Sequence, residues 1–255
     1  RNWHPLLPDV VARMAEDGIQ RAVAFVTSAF GSTSGCRQYL GDIERARAAV
    51  GPGAPRIHKL RLFFNHPLFL SAVTDHARAA LHELDDPAPE QVHVVFTAHS
   101  VPMSMARCSP YEDQLRESAR LVAEALGTPH WDLVYQSRSG RPEHPWLEPD
   151  VCDHLRALHA AGNQRSILLV PLGFLSDHME VLYDLDVEAR EVAQELGQSL
   201  ARAAAPGTHP DLVAMIRDLV MEQVAPEGPR AVSGVLPPAP DRCAPDCCVP
   251  ARPRP

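Results

Sequence analysis

Two nucleotide-binding signatures are missing from this 255-residue chain, which has neither a Gly-x-Gly-x-x-Gly nor a phosphate loop ending in Lys-Ser/Thr. Without them a nucleotide would find no backbone cradle. Positive charge is not in excess either. The 24 Lys and Arg against 32 Asp and Glu leave a formal charge of -8, and the basic residues are scattered, which sets nucleic-acid binding aside. No apolar run approaches the roughly 20 residues of a membrane-spanning helix, and the amino end shows no charged and apolar leader pattern. A cytoplasmic protein with no transmembrane segment is the expectation. The chain starts at Arg1 and enters a helix at once, so it reads as a fragment whose beginning is missing.

What is present is 45% hydrophobic, enough for one large domain or two smaller ones with real cores. Periodicity and turn signals predict helices over 9–17, 36–50, 68–84, 111–126, 150–161, 187–196 and 210–224. Strands are predicted over 21–27, 59–63, 92–97, 133–136 and 167–170. Strand alternating with helix implies an α/β protein whose parallel sheet is covered on both faces. From about Ala225 proline becomes dense and periodicity stops, which predicts a tail.

Two strands end in residues that can carry chemistry. One is followed by Thr97-Ala98-His99-Ser100-Val101-Pro102 and the other by 171–186, a stretch holding Asp177, His178, Glu180, Asp184 and Asp186. In open α/β sheets the ligand lies beyond the carboxyl ends of the strands, so His99 and Glu180 can face one cleft and there bind a metal or move protons. A histidine after a strand is usually a hydrogen-bonded loop residue, but the rigid Ser100-Val101-Pro102 turn presents this imidazole. An acidic series is usually a solvated helix face. Here Glu180, Asp184 and Glu188 recur at helical spacing and point one way, a line suited to cations or protons. The loop over 28–39 offers hydroxyls, then Arg37 for an acidic group and Tyr39 for a flat aromatic ligand. Trp146 is expected to anchor the Gly/Pro-rich loop over 138–147 in the core.

Of the six cysteines, Cys36, Cys108 and Cys152 stand alone, whereas Cys243, Cys247 and Cys248 crowd the tail. Cytosolic chains rarely keep disulfides, so three clustered thiols in a tail suggest metal ligation with a fourth ligand from the folded body. Zinc and an iron–sulfur cluster both suit such a set.

The motif around His99, Trp146-Leu147-Glu148-Pro149-Asp150, and the run from Pro171-Leu172-Gly173-Phe174 to Asp186 together resemble the ferrochelatase family, from Arg1 to about Val224. That resemblance implies two Rossmann-like, chelatase-type parallel-sheet domains with a cleft between them. The first is incomplete (1–90), because the family's opening strand and Gly-rich loop have no counterpart; the second (91–224) holds the catalytic residues, and 225–255 is a cluster-binding tail. It implies insertion of Fe2+ from an iron donor into a porphyrin. His99 and Glu180 become the iron-binding pair, with His99 also accepting pyrrole protons, and Asp184, Glu188 and Asp177 carry iron or protons. Tyr39, Arg37 and Ser34, with its neighbours Ser32 and Thr33, contact the substrate. The loop at Cys36 and the tail look most like the actinobacterial type, which implies coproporphyrin III rather than protoporphyrin IX. They also imply a [2Fe-2S] cluster on Cys243, Cys247, Cys248 and Cys108, with Cys152 as the substitute and Cys36 lining the porphyrin cleft. A chelatase for another metal or tetrapyrrole, a haem or metal carrier, and a redox sensor are the competing readings.

Overall fold

The computed structural model describes residues 3–85, 87–141, 143–244, 247 and 248. The expected tail beyond 248 and the first two residues of the expected first domain lie outside them.

The chain is α/β, as the alternation predicts. Helix α1 (Leu7–Glu16) leads to β1 (Arg21–Ala24), a π-helical turn (Thr33–Arg37), α2 (Gln38–Val50) and β2 (Arg56–Lys59). Helix α3 (Pro67–Leu81) has proline in its first turn, where no backbone donor is lost, and its Leu68 N–H donates to the His66 ring 3.2 Å away. Then come β3 (Val92–His99), the short α4 (Met103–Ala106), α5 (Tyr111–Leu126), β4 (Trp131–Gln136), α6 (Val151–Ala160) and β5 (Ser166–Val170). A short α7 (Met179–Val181), a π-helical stretch (Leu182–Ala189) and α8 (Arg190–Glu195) form one continuous helical run, followed by β6 (Leu200–Arg202) and α9 (Pro210–Val224).

Strands β1 and β2 pair in parallel, and β4-β3-β5-β6 form a second parallel sheet. Both faces of this larger sheet are covered. On β3, Val94, Phe96 and Ala98 join the core built with α3, α5 and α9, while Val95 joins the core built with α6 and the helical run over 179–195. On β5, Leu168 and Val170 face one way and Ile167 and Leu169 the other. The period of two thus serves two cores, which is why these strands read as continuous apolar runs.

Three expectations change. The predicted strand at 59–63 pairs at Arg56–Lys59 instead, and buried Leu60, Leu62, Phe63 and Phe64 run on into the core as irregular chain. The helix predicted from 187 begins at Met179, because its first turns are π-helical and carry acidic residues that masked the apolar period. The chain after 224 has no regular element among the described residues, yet it is pinned to the body. Ser233 N–H donates to Asn65 O, Val235 N–H to Glu117 Oε1 at 2.7 Å, and Ala239 is buried. Buried Arg61 binds Glu222 of α9 through two hydrogen bonds of 2.8 and 2.9 Å and also donates to Ala231 O.

Candidate active site

Strands β3, β4 and β5 end side by side, and the residues beyond them make the site. His99 closes β3 opposite Gln136 of β4. Its ring Nδ1 is 2.5 Å from Ser100 O, and Tyr111 OH donates to His99 O at 3.0 Å. A carbonyl can only accept, so the Nδ1 contact puts a ring proton there and turns Nε2 to the open side of the ring. That Nε2 lies 3.4 Å from Glu180 Oε1.

The approach of these two depends on one glycine. After β5 the chain crosses over the end of β3, where Gly173 N–H donates to Thr97 O at 3.0 Å. A Cβ on Gly173 would lie 2.7 Å from both Cα and Cβ of Ala98, so only glycine lets the two backbones meet. From there the chain reaches Glu180 in the first turn of α7.

Beside His99 opens a cavity of about 380 Å³ lined by Ser28, Phe30, Ser32, Ser34, Gly35, His99, Ser100, Val101, Pro102, Met105, Tyr111, Trp146 and Gly173. It places Ser34 and His99 in one lining. Arg37 and Tyr39 are not among its lining. Arg37 donates to Cys247 O at 3.0 Å, so this guanidinium serves the tail, and Tyr39 is half-buried on α2. Trp146 stands in the cavity wall, and the residue that anchors its loop is buried Leu147, whose carbonyl accepts from Ser100 Oγ at 2.8 Å. Phe30, Met105 and Tyr111 also line it, and apolar or aromatic residues carry no local mark in the sequence of facing a cavity.

The acidic series divides by role. Asp184 accepts from Gln136 Nε2 at 3.1 Å and from Ser137 Oγ, which ties it to the end of β4. Burial raises the Glu188 carboxyl above its ordinary range, with Asp184 and Asp150 adding repulsion. Asp177 and Asp186 both bind Arg202 at 2.7 Å, so these two hold β6 and leave the acidic line. The π-helical geometry over Leu182–Ala189 widens the turn that carries Asp184 and Glu188, a feature frequent at functional sites.

The cysteines gather differently from expectation. Cys36 Sγ is 3.8 Å from Cys243 Sγ, and Cys247 Sγ is 3.6 Å from Cys248 Sγ. The Cys108 thiol donates instead to Met105 O at 3.3 Å, and the main-chain carbonyl of Cys108 accepts from Cys248 N–H at 3.0 Å. Cys152 packs against the opposite core, where burial pushes its thiol up to about 11. Within the Cys36–Cys243 pair the shared hydrogen bond raises the first thiol and lowers the second. Burial pushes Cys248 up to about 12. The turn Thr33–Arg37 is therefore a partition. Ser34 and Gly35 face the His99 cavity, while Cys36 meets Cys243, Thr33 Oγ1 donates to Cys248 O at 3.0 Å and Arg37 donates to Cys247 O.

The family described as Ferrochelatase matches residues 1–224. A ferrochelatase of Rhodopirellula baltica is 49% identical over 255 residues, covering 99% of this chain and 72% of the relative. Coproporphyrin III ferrochelatases of Nocardia farcinica and Frankia alni are 47% and 49% identical, over 99% and 100% of this chain and 75% and 69% of their own lengths. Among solved structures, SirB from Bacillus subtilis with Fe3+ superimposes with a TM-score of 0.63 at 12% identity, over 88% of this chain and 81% of that one. At that identity the likeness establishes a shared chelatase-type fold. Among the described residues no helix is long and apolar enough to cross a membrane.

Proposed function

The chain belongs to the ferrochelatase family, whose members insert Fe2+ into a porphyrin in haem biosynthesis, and from that premise we propose which residues do this work and on which porphyrin. The substrate is coproporphyrin III, a reading supported by the 47% and 49% identity to the coproporphyrin III ferrochelatases of Nocardia farcinica and Frankia alni. A cytoplasmic site of action belongs to the same reading.

The observation that carries the assignment is the 3.4 Å approach of His99 Nε2 to Glu180 Oε1 at the cavity beside three strand ends. Metallation removes two N–H protons from a flat ring and delivers a cation that has shed water. It needs a base and a weak metal-binding group close together. An imidazole facing a carboxylate supplies both: in its neutral form the imidazole accepts a pyrrole proton, and the pair holds Fe2+ loosely enough to release it. Ser34, with Ser32 beside it, offers hydroxyl donors to the substrate's carboxylates. Arg37 reaches a propionate only by leaving Cys247 O. Tyr39 acts from the substrate's rim. Asp184 and Glu188 continue the acidic line away from Glu180, and the raised Glu188 carboxyl takes up or gives a proton near neutrality more readily than an ordinary one.

A [2Fe-2S] cluster is part of the proposal, held by Cys36, Cys243, Cys247 and Cys248. Two thiol pairs, at 3.8 and 3.6 Å, fit a group that takes two thiolates at each of two irons. When bound it supplies a one-electron centre and a cross-link between the tail and the turn Thr33–Arg37.

Anaerobic Fe2+ insertion into coproporphyrin III and protoporphyrin IX, followed by absorbance with Glu180→Ala as control, tests the reading. Turnover favouring coproporphyrin III and lost in the control is expected. Equal rates with both porphyrins would overturn the substrate assignment, and full activity in the control would overturn the role of Glu180.

A further inference from the structure

At the opposite end of β3 from His99 stands a second group of ligand-bearing side chains. His93 lies near the amino end of that strand, Asp132 beside it on β4, and His154 on α6, which packs over the same face. His93 Nε2 is 2.8 Å and His154 Nε2 3.2 Å from one atom, Asp132 Oδ2, and a ligand atom from each of the three residues lies within 4.8 Å of the others.

The two imidazole contacts are not alike. The His93 contact has hydrogen-bond geometry, whereas His154 Nε2 is buried without any hydrogen-bond partner despite its 3.2 Å approach to the carboxylate. A protonated Nε2 at that place would be a buried donor left unused. An unprotonated one would turn its lone pair on a carboxylate oxygen. Either state is costly in a buried setting, and both costs disappear when a cation sits among the three atoms.

We propose that His93, Asp132 and His154 form a second metal site that takes a divalent first-row cation, with Zn2+ matching two imidazoles and a carboxylate best. Asp132 is half-exposed, which gives the ion an entrance and leaves remaining positions to water. His93 and His99 are six strand steps apart, so at about 3.3 Å per step the site is about 20 Å from the catalytic imidazole. Its role is structural. A metal there ties β3, β4 and α6 together and stabilises the folded chain by mass action, since only the folded chain assembles the three ligands.

Co2+ alone is the probe, bound to the full chain carrying His99→Ala so that the catalytic pair does not contribute, and counted by equilibrium dialysis with absorption spectra. One equivalent showing weak d–d bands without thiolate charge-transfer bands is expected. It should be displaced by Zn2+ and absent from both Asp132→Asn and His154→Gln. In an otherwise native chain those two substitutions should leave iron insertion unchanged, while Zn2+ no longer raises the melting temperature. Asp132 is half-exposed, so Asp132→Asn folds even where His154→Gln does not. The same number of equivalents in parent and Asp132→Asn, or charge-transfer bands on every bound ion, would overturn the proposal.

Discussion

His99 Nε2 and Glu180 Oε1 stand 3.4 Å apart although 80 residues separate them in the chain, and both side chains remain partly open to solvent. Glu180→Gln keeps the shape and removes the charge, and His99→Ala removes the base. Neither opens the core, so circular dichroism and melting temperature should match the parent. Iron insertion should fall by about 10²- to 10⁴-fold in each, the usual range for loss of a positioned acid or base. Single-turnover kinetics with excess enzyme would separate this loss from a loss of porphyrin binding.

The proximity of Cys36 to Cys243 distinguishes two candidate cluster ligands. Cys36→Ser should abolish the visible absorption and protein-bound iron of the proposed cluster, whereas Cys108→Ser should retain both, because the Cys108 thiol is turned to Met105 O. Since Ser34 and Gly35 lie on the other side of the same turn, Cys36→Ser should also raise KM for the porphyrin more than it lowers kcat. Iron content per chain, read with and without sulfide release, decides between the ligands.

Gly234 fixes the tail against α5. Its φ is +80°, and a Cβ would lie 2.0 Å from Glu117 Oε1, the atom that receives Val235 N–H. Gly234→Ala should cost about 1–3 kcal/mol, as strained non-glycine residues do. The urea midpoint should fall, and limited proteolysis should cut the chain after residue 224 sooner than in the parent.

His66 gives stability a pH dependence. It is fully buried at the start of α3, and burial, with Arg61 adding repulsion against the attraction of Asp218 and Glu222, lowers its pKa to about 4 from 6.5. The unfolded chain therefore takes up a proton in that window while the folded chain does not, so stability is complete above about 6.5 and declines as pH falls towards about 4. His66→Asn keeps a cap acceptor for Leu68 N–H and removes the titration. Its unfolding free energy, measured by urea at a series of pH values, should be flatter across this window than that of the parent.

The local pattern of the sequence determined the elements and their class. Helices α5 and α9 have the bounds that periodicity predicts, and the apolar runs over 92–97 and 167–170 are strands because a segment buried on both faces cannot afford polar residues on either. Short β6 is the strand the pattern missed. Its three residues, Leu200–Arg202, are too few for a period, and its pairing with β5 supplies the stability that local preference does not. The motifs around His99 and Glu180 could be read in sequence as chemistry because their residue types are unusual directly after buried strands. Their meeting at 3.4 Å required the parallel register of β3 with β5 and the close crossing at Gly173, both long-range facts.

Only the tertiary structure could sort side chains by partner. It turned Cys36 towards Cys243 of the tail, gave the Cys108 thiol to Met105 O, committed Arg37 to Cys247 and Asp177 to Arg202, and assembled His93, Asp132 and His154 from two strands and a helix. Composition and spacing describe what a residue can do. Which neighbour it does it with depends on contacts between residues distant in the chain, whose positions are set by packing and strand register rather than by any local repeat.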